Sequence, residues 1–129
     1  MRKGKDMKQD ILSIIKALSD MNRLRVFIAL GGRDELCACQ IIKMLKISGA
    51  SVSRHLKVLN EASLIRNRKV GRWIFFRLNR DNALSVSFLD FLQSQVKGMT
   101  VFTQDQEFLL SSQAQEVITT CCRVRSKNE

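Results

Sequence analysis

Residues 48–64, Ser-Gly-Ala-Ser-Val-Ser-Arg-His-Leu-Lys-Val-Leu-Asn-Glu-Ala-Ser-Leu, constrain this chain more than any other stretch. Val52, Leu56 and Leu59 recur at i, i+4 and i+7, the spacing of one helical stripe. Projected at about 100° per residue, Arg54 and Lys57 fall on the far side, with Ser51 and Ser53 flanking them. Such a helix packs by one face and offers a short-polar, basic face to an acidic partner. Residues 40–47 read as another short helix, with Ile41, Ile42 and Leu45 apolar. Only Ser48-Gly49-Ala50 separates the two. A pair of short helices joined by a tight Gly-containing turn, the second basic outside, is the helix-turn-helix pattern. An ordinary helical hairpin with a solvated basic face would look similar up to this point.

The next stretch decides between them. Two β-prone runs, 64–70 and 73–78, flank a turn at Val70-Gly71-Arg72 and predict a hairpin. Alternation sends Trp73, Phe75 and Arg77 to one side and Ile74, Phe76 and Leu78 to the other. Arg66, Arg68, Lys69 and Arg72 crowd the hairpin without an acidic residue among them. A basic hairpin directly after a recognition helix is a wing, suited to gripping phosphates beside the groove. The expected fold is therefore mainly α with a small β-hairpin, a winged helix-turn-helix. The helix-turn-helix is expected over 39–62 and the wing over 64–79. Candidate DNA contacts are Ser48, Ser51, Ser53, Arg54, His55, Lys57, Arg66, Arg68, Lys69 and Arg72. Arg54 near the helix start is the best placed for a guanine, whereas His55 projects between the core and outer faces and suits packing or a phosphate.

Charge placement supports the same reading. The chain carries +10, and residues 43–80 hold ten Lys or Arg against one acid, Glu61, nearly the whole excess. Positive charge gathered on one supersecondary unit is an electrostatic footprint for phosphate. A membrane-surface helix would carry its charge opposite large apolar residues, not on a hairpin. At 129 residues, 45% of them hydrophobic, one folded domain with a modest core is expected. No apolar run is long enough to span a bilayer and no signal peptide is visible, which predicts a cytoplasmic protein. There, four Cys are expected to be thiols or metal ligands rather than structural disulfides.

The flanks are helical. Residues 10–18 predict a first helix striped by Ile11, Ile14, Ile15 and Leu18, and Ser19-Asp20 caps a second over 21–30, stopped by Gly31-Gly32. Its core side is Leu24, Phe27, Ile28 and Leu30. A long helix over 83–97, capped from 79–82, is apolar on more than one face, and Gly98 breaks it. Such a helix has more to bury than one small domain covers. A homodimer through the terminal helices is the expected consequence, suited to a palindromic operator. A further, weakly amphipathic helix is expected over 104–119, with Phe108, Leu109 and Ile118. The chain thus divides into a DNA-binding and dimerisation domain, 1–98, and a C-terminal extension, 99–129, carrying Cys121 and Cys122.

Cys37-Ala38-Cys39 is the remaining chemical signal. Cysteines at i and i+2 of a regular helix point about 200° apart and cannot chelate together. They converge only where the segment is extended or forms the unwound start of a helix, where free N–H groups favour a thiolate. Soft thiolates prefer soft ions.

At these residues the chain resembles a known family. Glu35-Leu36-Cys37-Ala38-Cys39-Gln40-Ile41 is similar to the Glu-Leu-Cys-Val-Cys-Asp-Leu metal box of the ArsR/SmtB metal-responsive repressors. Ser51-Val52-Ser53-Arg54-His55-Leu56-Lys57-Val58-Leu59 resembles their recognition helix, and Leu18-Ser19-Asp20-Met21-Asn22-Arg23-Leu24-Arg25 their Leu-Ser-Asp-Pro-x-Arg-Leu-x-Ile junction. Residues 69–78 resemble their wing. The resemblance runs from about residue 10 to 98. It implies a dimeric repressor that releases operator DNA on binding a thiophilic ion, and the Cys-x-Cys box points to the branch in which three thiolates bind As(III) or Sb(III).

The chain also departs from that pattern. A third Cys often follows three residues after the second, and Ile42 stands there. Cys121 or Cys122 could supply the missing thiolate, and all four Cys, 37, 39, 121 and 122, would make an S4 site suited to Zn, Cd or Pb. The family's zinc site on the long helix needs His ligands, but the single His of this chain lies in the recognition helix. Gly49-Ala50 replaces a frequent Gln-Pro, so operator preference is expected to differ. A thiol-redox regulator on the same fold is the alternative reading. A Cys-dependent enzyme is not supported, as the chain has no Cys-x-x-Cys motif and no acid/base set around its one His.

Overall fold

Asp20 starts the helix on which the rest of the chain is packed. Its carboxylate accepts the N–H groups of Asn22 at 2.8 Å and Arg23 at 3.1 Å, satisfying donors that a helix start leaves unpaired. The computed structural model of the protein describes residues 11–111, 114 and 115. Within them the order is helix α1 (residues 11–17), helix α2 (Met21–Gly31), strand β1 (Leu36–Cys37), helix α3 (Ala38–Leu45), helix α4 (Gly49–Glu61), strands β2 (Ile65–Val70) and β3 (Trp73–Leu78), and helices α5 (Ala83–Val96) and α6 (Thr100–Leu110). Helix α2 runs through the centre, and Val26 to Leu30 are buried on every side of it.

The core joins Phe27 and Leu30 of α2 with Ile14, Ile41, Leu59, Leu64 and Leu109, each at most 1% exposed. α5 closes one flank. A Cβ at Gly31 would lie 2.5 Å from Leu89 Cδ1, so the absent side chain is what lets α5 approach α2. α6 packs on α2 and α3 through Phe102 and Leu109. The Arg25 guanidinium of α2 grips the Asp105 carboxylate bidentately at 2.7 and 2.9 Å, and also donates to Met44 O at the end of α3 at 3.2 Å. With side chains 17% and 7% exposed, this pair is largely out of water.

The strands form one antiparallel sheet in the order β1-β3-β2, with Leu36 opposite Phe76, Cys37 opposite Phe75 and Ile65 opposite Leu78. Gly71 at the tip has φ +62°, the left-handed conformation a two-residue hairpin turn requires. The expected alternation holds, with Phe76 and Leu78 buried, Ile74 against the core and Arg77 exposed.

Several expectations need correction. β1 is not predicted by the sequence, because two residues make no periodic pattern. α3 covers Ala38–Leu45 rather than 40–47, since Lys46 turns left-handed at φ 59° and ends it. Gly49 and Ala50 are consequently the first residues of α4, not the turn. Helix α6 is Thr100–Leu110, starting before the expected 104, and residues 114 and 115 are helical as well. Gly98, at φ +87°, reverses the chain and the helix begins at once. Ile118 lies outside the described residues. The stripe of α1 is only partly buried: Ile14 is fully covered, whereas Ile11 is 37% and Ile15 51% exposed.

Candidate nucleic-acid interface and thiol box

Ser48 caps α4, its Oγ accepting Ser51 N–H at 3.1 Å and donating to Ser51 Oγ at 3.1 Å. Ser51 Oγ in turn accepts from Arg54 Nη2 at 3.1 Å, which holds the guanidinium beside the helix start and leaves its other donors outward. With Val52, Leu56 and Leu59 buried, Ser53, Arg54, Lys57, Asn60 and Glu61 share the exposed side. Lys57 and Asn60 also line a groove of about 470 Å³ between α4 and the wing, faced from β2 by Asn67. Sequence alone does not single out Asn60 and Asn67, although an amide at such a place is a usual adenine reader. Their only sequence signal is position, one turn beyond Lys57 and opposite it on the hairpin.

His55 lies off this face. It is half-buried, and Arg23 Nη1 of α2 stands 3.2 Å from its Nδ1. The Asp20 carboxyl beside this pair titrates below the ordinary aspartate range. Partial desolvation works against that shift, and the Arg23 N–H, the charges of His55 and Arg23, and the Asn22 N–H outweigh it.

The wing cations are sorted by height. Arg66 sits at the root opposite Arg77, where its Nε donates to Asn79 Oδ1 at 2.9 Å, and Asp81 lies 3.7 Å away. Arg68, opposite Phe75, donates from Nη2 to Glu35 Oε1 at 2.8 Å and lies 5.2 Å from the Phe75 ring centroid. Hydrogen bonding to Arg68 holds the Glu35 carboxyl below the usual glutamate range, against some desolvation and with help from the charges of Arg68 and Arg77. So the hairpin is not without acids. They come from Glu35 and Asp81, outside the two strands, and Lys69 and Arg72 stand beside the tip.

Asn79 is buried and organises the root. Its Nδ2 donates to Ser63 O at 2.9 Å, and its Oδ1 accepts from Arg66 Nε and from Asp81 N–H at 3.2 Å. Its sequence context marks only a turn. Ser63, at φ 62°, ends the recognition helix, so Asn79 ties that end to the wing.

The cysteine box sits where sheet meets helix. Cys37 is the last residue of β1 and the N-cap of α3, with extended φ −73°, ψ 147°. Its N–H donates to Gln40 Oε1 at 2.9 Å, and its side chain faces the Gln40 N–H in a capping box. Cys39 lies in the first turn of α3. Exposures of 1% and 6% bury both sulfurs' residues. Cys37 is a free thiol. Contrary to the expectation of thiols throughout, Cys39 is disulfide-bonded, and the described residues do not include its partner. Among the described residues no cluster of three His, Cys, Asp or Glu could hold a metal ion. Cys121 and Cys122 lie outside the described residues. No helix among those residues is long and apolar enough to cross a membrane.

Two helices at a tight turn, the second followed by a hairpin pinned to its end, define a winged helix-turn-helix protein. Comparison with known proteins agrees and narrows the class. Residues 20–67 match the family described as bacterial regulatory protein, arsR family. The arsenical resistance operon repressor of Escherichia coli K12 is 37% identical over 68 residues, 53% of this chain and 58% of that protein. A helix-turn-helix transcriptional regulator of Methanocaldococcus jannaschii is 33% identical over 73 residues, 57% of this chain and 82% of that protein. Reduced HlyU from Vibrio cholerae superposes with a TM-score of 0.64 at 20% identity, covering 75% of this chain and 99% of that one. The chain belongs to the ArsR family of transcriptional regulators. It spans 52–61% of the length of the arsenic-resistance regulators and SmtB homologue it resembles in sequence.

Proposed function

We propose that this protein is a homodimeric transcriptional repressor that binds operator DNA through α4 and the wing, and releases it when a thiophilic ion binds Cys37 and Cys39. The observation that carries this reading is the position of Cys37. One residue belongs to the sheet that contains the wing and begins the first helix of the helix-turn-helix. Coordination there acts on the wing through the sheet and on α4 through α3, and shifts the population toward a DNA-incompetent arrangement. In the reduced protein the two buried sulfurs suit a soft ion, because a buried thiolate is costly without a compensating cation. Trivalent arsenic or antimony fits this donor set, and the name of the Escherichia coli relative supports it. A third thiolate would come from Cys121 or Cys122. The dimer would form through the outer faces of α1 and α5, where Leu12, Ile15 and Phe91 are 52%, 51% and 60% exposed.

The disulfide at Cys39 favours a second reading, a thiol-redox switch in the same box. One titration separates them. The reduced protein on a fluorescent duplex, enriched from a random library by the wild type, is titrated with arsenite and separately with peroxide, beside Cys37→Ser and Cys121→Ser/Cys122→Ser. Release at about one arsenite per protomer, lost in both variants, supports the metalloid reading. Release by peroxide alone supports the redox one.

A further inference from the structure

The junction residues 18–25, which the proposed DNA contact leaves unused, carry a connection of their own. Arg23 sits in the first turn of α2 and reaches in two directions. Its Nε donates to Ala17 O at 2.6 Å and its Nη2 to Lys16 O at 3.5 Å, so the guanidinium caps the C-terminal turn of α1. Its Nη1 meets His55 Nδ1 of the recognition helix at 3.2 Å. The backbone of Arg23 is fixed as well, because its N–H is one of the two that cap α2 on Asp20. A single side chain therefore joins three helices.

The chemistry of the two groups sets a condition on this contact. Arginine has donors and no acceptor, so His55 Nδ1 must accept and the imidazole proton must sit on Nε2. The geometry points to Arg23 as a positioning residue that holds the recognition helix against the end of α1 through the neutral Nε2–H form of His55. Resting on the DNA-binding reading above, this makes His55 a support for α4 rather than a base or phosphate contact. Any shift of α1, whose exposed apolar side chains Leu12 and Ile15 are proposed to meet a second copy, then reaches α4 through one guanidinium.

The chain has one histidine, so its imidazole can be read without assignment. The test combines nitrogen-15 spectra of that ring at mildly alkaline pH, amide exchange of α4, and affinity for the enriched duplex. The variants are Arg23→Ala, Arg23→Lys, His55→Ala and His55→Asn. Asparagine places an amide oxygen near the Nδ1 position and can replace the acceptor. The wild type should show the Nε2–H tautomer. Arg23→Ala and His55→Ala should each speed α4 exchange and weaken DNA binding about tenfold, the scale of one charged hydrogen bond. His55→Asn should stay within about threefold of the wild type, and Arg23→Lys should be intermediate. The double alanine variant should be no weaker than either single one. An Nδ1–H tautomer overturns the proposal. So does wild-type affinity in Arg23→Ala beside a loss in His55→Ala, the pattern of a direct DNA contact. If the wild type enriches no duplex, the DNA reading fails by itself. The tautomer and the exchange of α4 in Arg23→Ala then decide the contact without it.

Discussion

Asn79 Nδ2 and Ser63 O, 2.9 Å apart, join the end of the recognition helix to the root of the wing. Asn82 Nδ2 reaches the same carbonyl at 3.1 Å, so the left-handed residue that ends α4 accepts from two side chains that precede α5. The angle between α4 and the hairpin is thereby fixed by side chains outside both.

Asn79→Ala removes the buried donor and strands Arg66 Nε. The expected loss is about 2 kcal/mol of unfolding free energy, read by urea denaturation. Operator affinity should fall further than stability alone accounts for at temperatures where the variant is fully folded. A loss of stability with unchanged binding would show that the root does not set the groove.

The Glu35–Arg68 pair should make the wing acid-sensitive. Because the folded protein holds the Glu35 carboxyl below its ordinary range, the pair's stabilisation is complete above that range and is lost as the pH falls through the lower folded-state value. Glu35→Gln should therefore lower Tm at neutral pH, and the difference from wild type should close on acidification. The pair is exposed and screened, so the neutral-pH difference should also shrink in high salt.

Asp105→Ala leaves the Arg25 guanidinium without its carboxylate between α2, α3 and α6. A destabilisation of about 2–3 kcal/mol is expected, allowing for the partial exposure of Arg25. Arg25→Met/Asp105→Leu should recover most of it, since an apolar pair of similar volume avoids the desolvation cost. Calorimetry of the three chains checks both statements.

Phe91→Glu places a charge on the outer face of α5, where the aromatic ring is 60% exposed. The expected outcome is a folded monomer by sedimentation and at least about tenfold weaker operator binding, from loss of paired engagement. A dimer that survives this change and Ile15→Glu together would place the interface elsewhere.

Lys57→Ala and Lys69→Ala should each reduce the slope of log affinity against log salt by roughly one unit, the share of a single neutralised phosphate. Arg66→Ala, whose guanidinium is engaged at the root, should change stability more than that slope.

The sequence was most legible where one short pattern met one strong constraint. Val52, Leu56 and Leu59 on α4, the alternation of β3, and the Asp20 and Asn82 caps all agree with the structure, because periodicity and capping are local. The sorting of the wing arginines was not legible, since Glu35 lies 33 residues from Arg68 and Asn79 13 from Arg66. Nor was the role of His55 readable from its projection alone. Its partner comes from α2, 32 residues away. The α5 face was legible as surplus apolar surface, and the chain alone leaves Phe91 bare. β1 is the instructive miss, because two residues acquire meaning only from the strand they pair with.

That short strand has an evolutionary consequence. Cys37 lies on β1 opposite Phe75 of the wing and also starts α3, so it adjoins the wing directly and is separated from the recognition helix by α3 alone. Under the proposed function, response and ligand choice are then separable properties of the chain. On that proposal, mutation would exchange the remaining ligand donors for others while the machinery that answers stays untouched, and one scaffold would be retuned from one soft ion or oxidant to another by changes far from its DNA-reading face.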